Sequence, residues 1–491
     1  MNSVQRSIFF SAVERYASLA LFFLATAVLS RLLTPKEFGA FAVVNAITVV
    51  TTASFQEFGG ANYLIQKPEL SRASIRTAFT FTLGFSALIG TVIFASAGPL
   101  SRFFEQDSLA NGIAVSALNF LLMPFVGILS ALYRRDMDFG KLAICNLAGN
   151  LAGAVISIAF AVWHFSYMAL IWGSVASNVT LTVMLLVCWR DFSVFRPSLL
   201  EYRDIIGFGL YSSGVLLINI FYNLAPQLFL ARILDFASVG LYSRAASMTQ
   251  VFDKLVMQVL NPVIMPAIVA QSKAGANLKG VYLDSIQLLS AVQWPFLAFV
   301  AILARPIILV WLGDNWLDVV PLVRVLCVAT MAVFAACLSY PVLVAVGRVR
   351  DALVSSFVSL PPSLLVILCA AFFGVQAVAA AALLTLPFQA AVAMYFIGRH
   401  LGIVPRDIFR SLVKSSIVTA GTACSAAGCA TLLEMGMVTP FFVLMSAFCV
   451  AALCWWLGLA FTAHPLLQRL YDAAGGLAAV APRLLRWRPA V

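Results

Sequence analysis

"SRLLTPKEFGAF", residues 30–41, comes back as "ARILDFASVGLY", residues 231–242, and the spacing of these two stretches decides how the chain is organised. Arg31 and Arg232, Leu33 and Leu234, and Gly39 and Gly240 keep one offset of 201 positions, with apolar residues matched between them. Each copy ends one long apolar run and opens the next. The repeat therefore joins two pairs of apolar segments, and its meaning depends on how many such segments lie between the copies.

Composition fixes the kind of segment. A chain of 491 residues that is 62% hydrophobic, 10% charged and has a mean hydropathy of +0.98 is excluded from the soluble globular class. Its unit is the run of about 20 apolar residues that crosses a bilayer. Fourteen such windows are expected, at 9–32, 38–58, 75–98, 112–133, 142–163, 166–189, 206–231, 240–263, 282–304, 318–345, 353–374, 376–397, 411–433 and 439–462. The first carries Glu14 and Arg15 and lacks a small-residue cleavage pattern, so it reads as a retained helix rather than a signal peptide.

The fold class expected is an all-α polytopic membrane protein with both termini cytoplasmic. Lys and Arg concentrate in short cytoplasmic loops. Placing both ends on that side gives it 22 of the 31 cations, against 5 opposite and 4 (Arg15, Arg244, Lys254, Arg324) inside spans. Basic loops facing anionic membrane lipids account for the net charge of +11 without nucleic acid. Six spans separate the two copies of the repeat, an even number, so both copies cross in one direction. Two pseudo-symmetric six-helix lobes follow, at 1–200 and 201–404, then two further helices in 405–465 and a cytoplasmic amphipathic or disordered tail over 466–491.

Soluble chemistry has no place to sit. No loop is long enough for a catalytic domain, which argues against an enzyme, including a membrane glycan polymerase or ligase with its large periplasmic loop. Asp136 and Asp138 have the Asp-x-Asp spacing of a metal-sugar-nucleotide site but read as charges on a short turn. His164, His400 and His464 form no metal-spaced pair, and the nine Cys include no Cys-x-x-Cys, so neither metal nor cofactor is expected. "GNLAG", Gly149 to Gly153, has the spacing of close helix packing.

Charges inside spans need a reason, because a Lys or Arg at the bilayer centre costs about 2.5–3.5 kcal/mol on insertion scales. At 100° per residue, Ser247, Lys254, Gln258 and Asn261 share one stripe of span 8, with Arg244 and Gln250 at its edges. Span 7 carries Ser212, Asn219, Asn223 and Gln227; span 1 carries Ser11, Glu14, Arg15 and Ser18; span 2 carries Asn45, Thr48, Thr52 and Gln56. The four striped spans are the repeated pairs, which predicts a hydrated, net-basic cavity between lobes. Arg15, Arg244 and Lys254 would neutralise phosphate oxygens, with Gln258, Asn219 and Asn223 on polar groups such as sugar hydroxyls. Glu14 is the ion-coupling candidate, with Glu57 behind it. Arg31, Arg232 and Arg324 read as interfacial anchors.

The ordered stretches "SRLLTPKEFGAF", "YLIQK", "LYRRDMDFGKLAICNL", "FGLYSS", "GLYSRA", "NPVIMPAIVAQ", "WLGDNW", "VPLVRVL" and "AVGRVRDAL" carry a resemblance over residues 1–465. The chain resembles the polysaccharide-transporter branch of the multidrug/oligosaccharidyl-lipid/polysaccharide exporter superfamily. That resemblance implies an inner-membrane flippase moving undecaprenyl-pyrophosphate-linked oligosaccharide outward for exopolysaccharide or lipopolysaccharide synthesis. It also implies a glycan polymerase and a chain-length regulator as partners; a monomer is the default expectation. Relatives often carry Asp where this chain has Pro226, so a coupling role for that acid does not transfer, and Pro226 is expected to kink span 7. Other readings are a cation-coupled multidrug exporter, with twelve spans and a more acidic cavity, and a lipid II flippase, separated only by the motif set. A teichuronic or capsule exporter would differ in glycan alone.

Overall fold

A computed structural model of the chain describes residues 3–58, 64, 70–189, 191–198, 222–257, 268, 277–434 and 439–471. Among them there is no strand, and nine helical stretches are long and apolar enough to cross a membrane. Large apolar side chains such as Phe373 and Phe461 stand exposed, as lipid contact requires. These helices and their exposed apolar side chains are those of a multi-pass membrane protein.

The helices in chain order are α1 (Ser3–Leu32), α2 (Pro35–Phe58), α3 (Arg72–Phe103), α4 (Leu109–Ser116), α5 (Leu118–Arg135), α6 (Phe139–Val162) and α7 (Met168–Cys188). Then come α8 (Phe236–Thr249), α9 (Leu278–Ile302), α10 (Ala304–Trp311), α11 (Val319–Thr330), α12 (Ser339–Ala345), α13 (Val349–Ala371), α14 (Val375–Leu401), α15 (Pro405–Glu434) and α16 (Pro440–Phe461). Residues 222–233 are also helical and run through Pro226; the preceding part of span 7, where a kink would show, lies outside the described residues. So do residues 472–491 of the tail.

Two compact units are defined by packing. One comprises residues 1–245, 311–319 and 364–378; the other comprises 246–310, 320–363 and 379–491.

In the first unit α6 packs along α7, and small residues make the seam. A Cβ on Gly153 would come within 2.9 Å of the Gly173 carbonyl oxygen, and one on Gly149 within 3.0 Å of the Ser177 carbonyl oxygen. The "GNLAG" stretch is thus a packing face: without a hydrophobic drive inside lipid, helices associate through such close backbone approach. A second core gathers Leu64, Phe79, Ile128 and Leu132 around the basic ends of α3 and α5.

The second unit packs α9 against α15 and α15 against α16. Ser290 Oγ donates to Ser415 Oγ (2.9 Å), and Ser415 Oγ lies 3.3 Å from His464 Nε2. The Leu466 amide donates to His464 Nδ1 (3.1 Å), so the ring is held neutral with its proton on Nε2. Burial, with Lys414 nearby, pushes His464 down to about 4. Between α11 and α12 the chain runs as a 3₁₀ helix over Met331–Leu338, a long stretch for that geometry, and Trp294 Nε1 donates to the Met331 carbonyl (2.8 Å).

Candidate functional site

The repeated stretches fold into matching helix starts. In the first copy Thr34 caps α2: its amide and hydroxyl donate to Glu37 Oε2 at 2.7 and 2.9 Å, and the Glu37 amide donates back to Thr34 Oγ1 at 3.4 Å. This Thr-Pro-Lys-Glu capping box places Pro35 at the first helical position, where its missing N–H costs nothing. In the second copy Asp235, at the equivalent position, caps α8 by accepting from the Ser238 amide at 2.6 Å.

The two copies also pack on each other, within the first unit, and the contact is reciprocal. A Cβ on Gly39 would collide with the Phe236 carbonyl, and one on Gly240 would collide with the Pro35 carbonyl. Positions 35 and 236 are themselves equivalents. The same imagined Cβ atoms would lie 3.0 Å from the Gly240 nitrogen and 3.2 Å from the Gly39 nitrogen. Backbones meet here because both residues lack a side chain, and this is the physical reason the glycine recurs.

Arg244 lies beside this contact. Its guanidinium carbon stands 3.9 Å from the centroid of the Phe38 ring and 5.9 Å from that of Trp316. Phe38 and Trp316 are fully buried and meet edge to face at 5.3 Å. Trp316, from "WLGDNW", donates through Nε1 to the Ser30 carbonyl (2.8 Å). The cation is held by ring faces, and Arg244 Nε is buried without a hydrogen-bond partner among the described residues.

Arg15 has the same orphaned Nε, but the structure does not bring it to Arg244. Arg15 lies fifteen residues before Ser30 on α1, so the two sites are about 22 Å apart along the helix. That separation differs from the single phosphate cluster expected from the polar stripes. The polar line of span 1 is likewise redirected: Asn146 Nδ2 donates to Glu14 Oε1 (3.3 Å), and Asn150 Nδ2 to Ser18 Oγ (3.0 Å). Two Asn at i and i+4 on α6 thus face two polar residues at i and i+4 on α1. Neither Asn was a site candidate in the sequence, although an Asn-x-x-x-Asn pair in an apolar span was the available signal.

On span 8, Lys254 lies in the second unit, within a π-helical turn over Asp253–Met257. A π turn adds a residue per turn, so the 100° stripe does not continue through it unchanged. Asn223 is exposed at the start of the helical stretch 222–233. Asn219, Gln258, Asn261 and Ser212 lie outside the described residues, as do the side chains of Thr52, Gln56 and Glu57. Thr48 Oγ1 donates back to the Val44 carbonyl (2.9 Å). Among the anchors, Arg232 pairs with Glu105 (3.1 Å) and lies over Phe103 (5.6 Å), and Arg324 is exposed. Asp138 caps α6 through the Lys141 amide (3.4 Å) and pairs with Lys141 Nζ (2.7 Å), so that acid of the Asp-Met-Asp turn is structural.

Among the described residues the chain is all-helical, and its two repeated helix starts meet through one glycine in each. It superposes on the inward closed conformation of the lipid II flippase MurJ with a TM-score of 0.72, covering 92% of this chain and 98% of that one at 10% identity. The chain belongs to the family described as "Polysaccharide biosynthesis protein", whose model matches residues 28–321. It is 22% identical over 322 residues to the lipopolysaccharide biosynthesis protein WzxC of Escherichia coli (strain K12), covering 65% of each chain. It is 23% identical over 323 residues to the succinoglycan biosynthesis transport protein ExoT of Rhizobium meliloti (strain 1021), covering 64% of each. The chain thus spans just under two thirds of the length of these relatives, and the family is the one its ordered motifs resemble.

Proposed function

We propose that the protein is a flippase that moves an undecaprenyl-pyrophosphate-linked oligosaccharide repeat unit from the cytoplasmic to the periplasmic face of the inner membrane. The observation that carries this reading is sequence likeness to proteins named for lipopolysaccharide biosynthesis and succinoglycan transport, in a chain built from membrane-crossing helices. Fourteen spans, lobes at 1–200 and 201–404, a helix pair in 405–465 and cytoplasmic termini make up the architecture proposed. The reciprocal packing of Gly39 and Gly240 supports the pseudo-two-fold between lobes.

The phosphate contacts act in sequence rather than together. Arg15, in the N-terminal half of α1, receives the pyrophosphate, and Arg244, about 22 Å further along, meets it after the lobes have rocked. The orphaned Nε of each supports that role, because a buried donor without a partner is costly until an acceptor arrives. Lys254, Asn219, Asn223 and Gln258 are the further cargo contacts of this reading. Differential binding in the two states drives release, with an ion moving through Glu14 supplying the difference. The protein works as a monomer and hands its cargo to a polymerase and chain-length regulator.

The test is the face on which repeat-unit lipid accumulates in a strain lacking this protein. Cytoplasmic accumulation, reproduced by Arg15→Gln and Arg244→Gln in full-length protein, is expected. Normal periplasmic delivery, in a strain shown to have no second exporter for that lipid, overturns the flippase. The likeness in fold to a lipid II flippase gives a second reading. Accumulation of the peptidoglycan precursor instead of the repeat unit would select it.

A further inference from the structure

A cleft of about 380 Å³ opens in the first unit where three helices end together: the start of α3, the end of α5 and the end of α7. Its charged and aromatic lining is Arg72, Arg76, Arg135, Asp136, Trp189 and Asp191. All three helices are membrane-crossing by length and apolarity, so a cleft at their common ends sits at the height of lipid headgroups. Trp189, packed edge to face on Tyr133 at 5.4 Å and donating to the Asp191 carbonyl at 2.9 Å, is the residue type enriched at that height.

The walls are held independently of any ligand. Arg76 Nε donates to the Ser193 carbonyl (2.9 Å), and Arg135 Nη1 donates to the Leu64 carbonyl (2.7 Å). Hydrogen bonds from the Ser193 side chain and from its amide, which donates to Asp191 at 3.0 Å, hold the Asp191 carboxyl below its ordinary range, with Arg72 and Arg76 adding to the effect. Arg72 and Asp191 approach to only 3.8 Å at the exposed mouth. Among the described residues, neither Arg76 nor Asp136 has an ion-pair partner. A cation and an anion therefore line one cleft without neutralising each other. Three guanidiniums alone would suit a polyanion, but two carboxylates offset most of that charge. What complements both signs is a zwitterion.

We propose that this cleft binds the headgroup of a phosphoethanolamine lipid, with the phosphate diester on Arg76 and its arginine neighbours and the ammonium on Asp136. Arg76 and Arg135 offer planar N–H donors to phosphate oxygens, and Asp136 accepts from a primary ammonium. The acyl chains leave past Trp189 into the bilayer. Occupancy would tie α3, α5 and α7 together at one membrane face.

Native mass spectrometry of the full-length, delipidated protein in detergent tests this, with phosphatidylethanolamine, phosphatidylcholine and phosphatidylglycerol titrated separately. Phosphatidylethanolamine is expected to bind roughly tenfold more tightly than either other lipid, the worth of one charge-assisted hydrogen bond. Arg76→Gln should weaken all three lipids alike. Asp136→Asn should erase the preference over phosphatidylglycerol, because the carboxylate is what repels a net negative headgroup. Among the described residues the Asp136 side chain has no hydrogen-bond or ion-pair partner in the wall, so this variant keeps the test sound if Arg76→Gln loosens the 192–195 turn. Equal or tighter phosphatidylglycerol binding in the unaltered protein overturns the proposal, as does an unchanged preference in Asp136→Asn. Stoichiometric displacement of phosphatidylethanolamine by a polyprenyl pyrophosphate also overturns it, by assigning the cleft to cargo.

Discussion

The two copies of the repeat share their backbone and differ in their side chains. Thr34 and Asp235 cap helices at the same point, and Gly39 and Gly240 meet each other's neighbouring carbonyls. Yet Val43, fully buried in the first copy, corresponds to Arg244 in the second, and Phe38, which stacks on that arginine, corresponds to Val239. The second copy also runs into a π turn at Asp253–Met257, where α2 continues as a regular helix to Phe58. Symmetry resides in what the backbone needs, and asymmetry in what a substrate would need. Duplication supplies a scaffold, and divergence at a few positions places the charge.

The largest effect should come from breaking the shared part. Ala at position 39 or 240 in an ordinary helix gains about 1 kcal/mol over Gly in intrinsic propensity. Here the added methyl meets a backbone carbonyl that cannot rotate away, and overpacking of this kind typically costs about 1–3 kcal/mol. Packing should win. Gly39→Ala and Gly240→Ala should each lower the thermal midpoint in detergent, by similar amounts, and impair export. The double variant should cost little more than either single one, since one separation of the helices makes room for both methyls. A stabilised Gly39→Ala protein would mean that the helices do not touch in the dominant state.

Making the copies alike at their point of divergence sharpens the comparison from the other side. Arg244→Val copies the residue of the first repeat. It removes a shielded donor that lacks a partner, at the price of the stacking on Phe38 and Trp316. Those terms are each about 1–2 kcal/mol and of opposite sign, so the thermal midpoint should move by only a few degrees. Export measured by complementation should nevertheless be lost. Equal loss of stability and export would make Arg244 a structural residue, and retained export would remove it from the cargo path.

The helical membrane class, most span positions and the repeat were legible because they rest on local quantities: hydropathy, charge in loops, and glycine at a fixed offset. The candidate site was legible only in part. A helical wheel gives direction around an axis but not height along it, so Arg15 and Arg244 looked like partners although the rise of α1 separates them. Asn146 and Asn150 went unnoticed because their partners, Glu14 and Ser18, come from a helix 132 residues earlier. No periodicity within one span reveals a pairing between two. The π turn at Lys254 escaped for a related reason: the wheel assumes a constant step, and tertiary context decides where that step changes.

The smallest effect tests whether the helix starts are equivalent. Thr34 and Asp235 occupy matching positions but use different chemistry, a neutral hydroxyl completed by Glu37 against a single carboxylate. Losing a cap typically costs about 1 kcal/mol. Thr34→Ala leaves Pro35 at the first helical position, and Glu37 still accepts from the Thr34 amide position, so part of the box survives. Asp235→Ala leaves the Ser238 amide with no acceptor and also removes a negative charge from the positive end of the α8 dipole. Asp235→Ala should therefore lower the thermal midpoint more than Thr34→Ala, and Asp235→Asn should recover most of the difference, since the amide oxygen still accepts. If the two alanine variants fall equally and Asn fails to rescue, the ends of α2 and α8 are fixed by the glycine contact five residues on, and the caps are incidental to it.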